Sequence, residues 1–159
     1  MTSCMLAVMP SQQATYEDAN LILKIYELRR EEKLREARAW FSANFFPASM
    51  EDVMAIAPPG SPENAYVRMV ISYWEMVASF ITAGVLNQDL FFQTGGELLA
   101  CWEKIKAIAP GIRDMMKNPN AWKNLELVGL AYAKYIESNG PEAYPAYLAM
   151  LKMMASAKK

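Results

Sequence analysis

The chain has 159 residues, with 17 acidic and 16 basic side chains, a formal charge of −1 and no histidine. Charges this evenly balanced supply no basic footprint for nucleic acid. The lack of histidine removes His-based triads, most catalytic zinc sites and the usual proton shuttle near neutral pH. A chain of this size buries roughly 68–70% of its unfolded surface, so it needs neither disulfide nor metal to fold.

Residues 1–14 read as a flexible lead-in, with neither the basic start nor the apolar length of a signal peptide. Residues 15–157 read as one helical domain. Thr15 and Asp18 form a capping box that opens a long helix from Tyr16 to about Asn44. Its apolar face is Ala19, Ile22, Ile25 and Tyr26, then Leu34, Ala37, Trp40 and Phe41. The run Arg29-Arg30-Glu31-Glu32-Lys33 between them is polar on every side. Its alternating signs read as a solvated helix face, and the half before it is free to pack on another subunit.

Phe45-Phe46-Pro47 ends that helix. Ser49 and Asp52 make a second capping box for a short helix to about Ile56, and Pro58-Pro59-Gly60 breaks the chain. Ser61, Pro62 and Glu63 then open the central helix, which ends near Ala83 with Gly84 in the left-handed region. Arg68, Ser72, Glu75, Ser79 and Thr82 step along it as one narrow polar stripe. The remainder is apolar, which requires neighbours on about three sides. The span Ala65 to Leu86 could cross a bilayer by length, but Arg68 and Glu75 each cost about 2.5–3.5 kcal/mol at its centre. A buried soluble helix is the reading that follows.

Asn87 caps a short helix from Gln88 to Phe92, and Thr94 with Glu97 suggests a third capping box around Gly95-Gly96. Leu98, Cys101, Trp102, Ile105 and Ile108 form the next seam, with Glu103, Lys104 and Lys106 expected outside. Pro110-Gly111 interrupts it before Ile112, Arg113 and Met116. Asn118-Pro119 suggests a helix start, leading to a helix ending near Ser138 whose Gly129 would allow close approach of a neighbour. Asn139-Gly140-Pro141 precedes the last helix, Glu142 to about Ala155. No strand-like alternation of useful length occurs, so the fold is all-α: a single-domain helical bundle with a long N-terminal helix, a buried central helix and short connecting helices.

The pattern offers little catalytic chemistry. Gly95-Gly96 follows no strand, so it is a helix joint and not a phosphate loop. Cys101 on an apolar seam reads as an inert small hydrophobe. Two thiols, Cys4 and Cys101, fit a reducing cytoplasm. Glu75, Glu97, Glu103 and Glu126 do not share a face, so no metal site, no cofactor and no catalytic residue are assigned. Glu75 is the most informative acid, because a buried carboxylate needs a partner. Arg68 or Arg113 would supply one across a polar cleft. The candidate ligand-binding set is therefore Arg68, Tyr73, Glu75, Trp102 and Arg113. The methionine-rich last helix offers Tyr147, Met150, Leu151 and Met154 as a candidate interface.

The pattern Tyr73-Trp74-Glu75-Met76-Val77-Ala78, Gly84-Val85-Leu86-Asn87-Gln88-Asp89-Leu90-Phe91, Gly96, Trp102-Glu103 and Arg113 resembles an uncharacterised family of bacterial helical proteins known as a domain of unknown function. The resemblance covers roughly Arg35 to Glu137 and implies an all-helical fold. It brings no catalytic residues. Some members of that family place a membrane helix ahead of the domain, and this chain departs in showing none and in its Met-rich stretch after Pro141. The reading that results is a non-enzymatic, cytoplasmic protein-interaction or assembly module, acting as a homo-oligomer or on another protein, without nucleic acid or membrane. The alternative is a helical bundle with a small-molecule pocket near Tyr73, Glu75 and Trp102.

Overall fold

A computed structural model describes residues 12–157, and Cys4 with most of the expected lead-in lies outside them. Among the described residues there are helices and loops only. The first two helices are α1 (Tyr16–Leu28) and α2 (Glu32–Asn44). The single long N-terminal helix of the sequence reading is thus two. Arg29, Arg30 and Glu31 form the turn between them, and Glu31 starts α2 by accepting hydrogen bonds from the Lys33 and Leu34 amides. A carboxylate at a helix start satisfies orphan N–H groups and complements the dipole, so the polar run breaks the helix instead of extending it. Both capping boxes, at Thr15/Asp18 and Ser49/Asp52, are present.

After α3 (Met50–Ile56) comes α4 (Pro62–Thr82), started by the Ser61 hydroxyl and ended ahead of Gly84 at φ +73°. There a left-handed backbone suits glycine. Val67, Val70, Ile71, Trp74, Val77, Ala78 and Ile81 are all buried, while Arg68, Ser72 and Thr82 are exposed. Each large aliphatic side chain so buried contributes about 1.5–3 kcal/mol. The helix is therefore the wrapped rod with one wet seam that its stripe predicted, with α2, α6 and α8 packed against it.

The remaining helices are α5 (Gln88–Phe92), α6 (Gly96–Ile105), α7 (Ala109–Met116), α8 (Lys123–Ser138) and α9 (Ala143–Ser156). The third capping box does not form, because Gly95 caps α6 without a side-chain bond and Glu97 is engaged elsewhere. Helix α8 also begins later than Asn118-Pro119 suggested. Lys117 and Trp122 both adopt left-handed backbone, so residues 117–122 form an irregular loop. Gly129 of α8 faces the Trp102 ring of α6, where an added Cβ would come within 2.5 Å of the indole. Helix α9 lies over α8 and α2 and buries none of its residues fully. No helix among the described residues is long and apolar enough to cross a membrane.

Candidate functional site

Glu75 occupies the middle of the α4 seam, and its partners lie at the start of α8. Its carboxylate accepts hydrogen bonds from the amides of Asn124 (3.2 Å) and Leu125 (2.7 Å), and from the Asn124 side chain (2.9 Å). Trp122, at the start of α8, offers no side-chain cap. Glu75 therefore caps α8 from a neighbouring helix, supplying the acceptors that the local sequence lacks. The arginine pairing read from sequence is not formed. Arg68 donates to Asn64 (3.1 Å), and Arg113 donates to the Ala121 carbonyl (2.9 Å) and to Glu126 (3.0 Å). Arg113 thus secures the α7–α8 loop.

Beside Glu75, an open groove of about 870 Å³ runs between α3, α4 and α7, with Trp122 at its wall. Val53, Val67, Ile71, Ile108 and Ile112 supply much of its apolar surface, and the well-exposed Met115 and Met116 edge it. Arg68, Ser72 and Glu75 give it one polar side. Among the described residues Arg68 makes no ion pair with a carboxylate. The five candidate ligand residues are consequently split. Arg68 and Glu75 line the groove together. Tyr73 and Trp102 are buried elsewhere: the Tyr73 hydroxyl donates to the Ile25 carbonyl (2.5 Å), and Trp102 packs on Gly129. Arg113 stands behind the loop. The three residues of the expected small-molecule pocket do not line one cavity, because Tyr73 and Glu75 are only two positions apart on a helix and point to different faces.

Two clusters escaped the sequence reading. Arg29 and Arg38 both bind Glu97, at 2.5 and 2.5–2.6 Å, so the turn between α1 and α2 is tied to the start of α6. Burial pushes the Glu97 carboxyl up, but the hydrogen bonds and charges of Arg38 and Arg29 together outweigh it and hold it below the ordinary range. The charge run was read as a solvated face; Arg29 instead turns inward. Lys104, placed outside by its helical position, is only 9% exposed. Its ammonium donates to the Phe41 (3.1 Å) and Ser42 (2.8 Å) carbonyls near the end of α2 and sits 3.6 Å from the centre of the Phe46 ring. Burial lowers it to about 8, which still leaves it charged at neutral pH. Glu103 is covered too, accepting from Tyr144 and pairing with Lys106. Neither was legible from α6 alone, because α2 and α9 cover the face its own periodicity left polar.

On α9, Tyr147 turns inward and donates to the Gly96 carbonyl (3.1 Å), Leu151 is half-buried, and Met150 and Met154 are exposed together with Met153. Cys101 is buried, and burial pushes its thiol well above the usual range, which suppresses thiolate chemistry. Among the described residues no group of His, Cys, Asp or Glu side chains could hold a metal ion.

The family model described as Domain of unknown function (DUF4760) matches residues 14–130. That match begins at α1, earlier than the Arg35 suggested by the motif pattern, and it stops before the end of α8. No curated protein and no solved structure matches the chain.

Proposed function

This chain belongs to the family of the domain of unknown function DUF4760, and on that premise we propose that it is a non-enzymatic helical interaction module. Its binding surface is the groove between α3, α4 and α7. The observation that carries this reading is the groove itself: open along its length, lined mainly by apolar side chains, edged by methionines and bearing Arg68, which pairs with no carboxylate among the described residues. Grooves of this kind take the apolar stripe of an amphipathic helix, and exposed methionines adapt to it. The occupant is a helix of another protein with an acidic residue beside its stripe, set against Arg68. The non-enzymatic part is supported by the commitment of the acids: Glu75, Glu97, Glu103 and Glu126 each hold a neighbouring element in place. The buried thiol of Cys101 fits a reducing cytoplasm as the compartment.

Selection from a displayed library of helical peptides tests the proposal. Enriched peptides should share apolar residues at i, i+4 and i+7 flanked by Asp or Glu. Ile112→Asp should weaken them by about tenfold or more and Arg68→Glu by a few-fold, whereas Met150→Asp on α9 should leave them unchanged. Binders indifferent to Ile112→Asp would remove the groove from the function.

The groove volume also lies within the roughly 300–1,000 Å³ of small-molecule sites, which favours a compact apolar ligand as the second reading. Thermal stabilisation by apolar fragments, lost in Ile112→Asp, distinguishes it.

A further inference from the structure

Helix α9 has two faces that differ in kind. Its inner face is fixed: Tyr144 donates to Glu103, Tyr147 donates to the Gly96 carbonyl (3.1 Å), and Leu148, Leu151 and Ala155 are half-buried. Its outer face carries Ala146, Ala149, Met150, Met153, Met154 and Ala157, all exposed and none of them charged. Met153, near the middle of that face, is 73% exposed. The water-facing side of a surface helix normally carries charge. On α9 only Lys152 is charged, and helical spacing puts it at the edge of the face. No residue of α9 lines the groove between α3, α4 and α7, so this surface is separate from it.

The outer face is also graded along its length. Its first half holds the small side chains of Pro145, Ala146 and Ala149, and its second half the long ones of Met150, Met153 and Met154. Turned end over end about the midpoint between Ala149 and Met150, the helix sets Ala146 against Met153, Pro145 against Met154 and Ala149 against Met150. Large then meets small at every level, which is how facing layers interdigitate. A parallel pair would set methionine on methionine and leave alanine facing alanine. The ends agree with the antiparallel arrangement. Exposed Glu142 comes opposite the Ala157 end of a second copy, where the sequence continues with Lys158 and Lys159. Opposite charges meet there, and the two helix dipoles oppose each other.

We propose that α9 is a self-association helix, through which two copies of this chain pair antiparallel about a two-fold axis passing between Ala149 and Met150. The contact is isologous: each half of the face meets the other half in the second copy. The helix has 14 residues and is about 21 Å long, so the interface stays below roughly 1,200 Å². The dimer is therefore a transient one, with a Kd in the micromolar range.

Sedimentation equilibrium of the whole chain, from low to high micromolar concentration, should show its mass rising from 17.9 kDa toward twice that value. Met150→Asp and Met153→Asp, both at exposed positions, should each weaken association by about tenfold or more. Val85→Asp, at an equally exposed apolar residue before α5, should leave it unchanged. Glu142→Lys should weaken it by a few-fold, and adding Lys158→Glu with Lys159→Glu should recover the loss. Cross-linking reads the register. With Cys4→Ser in place, and Cys101 buried, Ala149→Cys should give a disulfide-linked dimer on mild oxidation. Ala146→Cys should not, because the two-fold sets its copies about 10 Å apart along the helices, beyond the roughly 7 Å that a disulfide spans between Cα atoms. The proposal is overturned by a monomer at every concentration, by a dimer that both aspartates leave intact, or by Ala146→Cys cross-linking as readily as Ala149→Cys. Anionic lipid vesicles that bind a persistent monomer through Met150 and Met153 would assign the face to a lipid surface and overturn it as well.

Discussion

At the scale of single residues, two charged side chains, Glu75 and Lys104, secure helix ends by binding backbone far away in sequence. Glu75 replaces the missing cap of α8, so Glu75→Ala orphans the Asn124 and Leu125 amides. A loss of about 1–3 kcal/mol in urea denaturation is expected, with Glu75→Gln losing less because one acceptor survives. Lys104 does the converse at the end of α2. Lys104→Met removes the ammonium donor from the Ser42 carbonyl and from that of Phe41, which keeps the Phe45 amide (3.1 Å), and a loss of similar size is expected at pH 7. The pH dependence separates the two. Burial lowers the folded Lys104 to about 8, below the ordinary 10.5, so its contribution to stability rises with pH between those values, opposed above the ordinary 9.0 by Cys101, whose buried thiol keeps its proton. Lys104→Met should flatten the rise, measured as the urea midpoint from pH 7.5 to 9.5. Above pH 10 the opposite sign takes over. Burial pushes Tyr73 and Tyr132 up to about 12, so the unfolded chain releases their protons first and stability falls.

At the scale of elements, the decisive feature is the break between α1 and α2. The helical periodicity of Ile22, Ile25, Leu34 and Phe41 passes through it without warning, because the same residues fit one helix or two. What selects two is the Glu31 cap at the start of α2 together with Glu97, on α6, which draws Arg29 and Arg38 together. Glu97→Gln should therefore loosen α1 selectively, seen as faster amide exchange there with α8 unchanged; equal acceleration in both helices would contradict the hinge. The α6–α8 contact is different, since its logic was visible in sequence. Gly129 permits an approach that a methyl group would block, and Gly129→Ala should cost about 1–3 kcal/mol by forcing the Trp102 indole aside. Gly95 and Gly111 are as closely approached, by Phe91 (2.3 Å) and Met50 (2.6 Å), whereas at Gly140 an added Cβ would meet nothing within 4 Å.

At the scale of the whole molecule, the capping boxes at Thr15 and Ser49, the proline start at Pro62 and the α4 stripe were legible because each is a local rule, complete within a few residues. Thr94/Glu97 and Asn118-Pro119 carried the same signals without starting a helix there. Thr15/Asp18, Ser49/Asp52, Ser61-Pro62 and Asn87 all mark helix starts as read. The candidate site was legible only in part. Arg68 and Glu75 do line one groove, but Tyr73 and Trp102 belong to the core, and aromatic residues beside an acid in sequence need not share its face. The acid side of stability is a property of the assembled bundle. Arg38 and Arg29 hold Glu97 below the ordinary carboxylate range against the opposing effect of burial, and the Thr15 and Asn87 amides hold Asp18 there. Their contribution is complete above the ordinary carboxylate values and is lost as pH falls through the lowered ones. Acid unfolding should therefore begin below pH 4.5, and Glu97→Gln should remove part of the slope. The exposed methionines of α9 bear on assembly at the same scale: if Met150, Met153 and Met154 cover a second copy, sedimentation should show dimers that Met150→Asp dissociates.

Sequence by itself determined that this protein is helical, where most of its helices begin, and which helix lies at the centre, because capping and amphipathic spacing act over one or two turns. Only the tertiary structure decided which polar groups are buried. Glu75, Glu97 and Lys104 find partners about 49 to 68 residues away, and no local pattern records a neighbour that distant. The groove follows the same rule. It exists where α3 and α7 meet one side of α4, a relation between elements that none of them encodes alone.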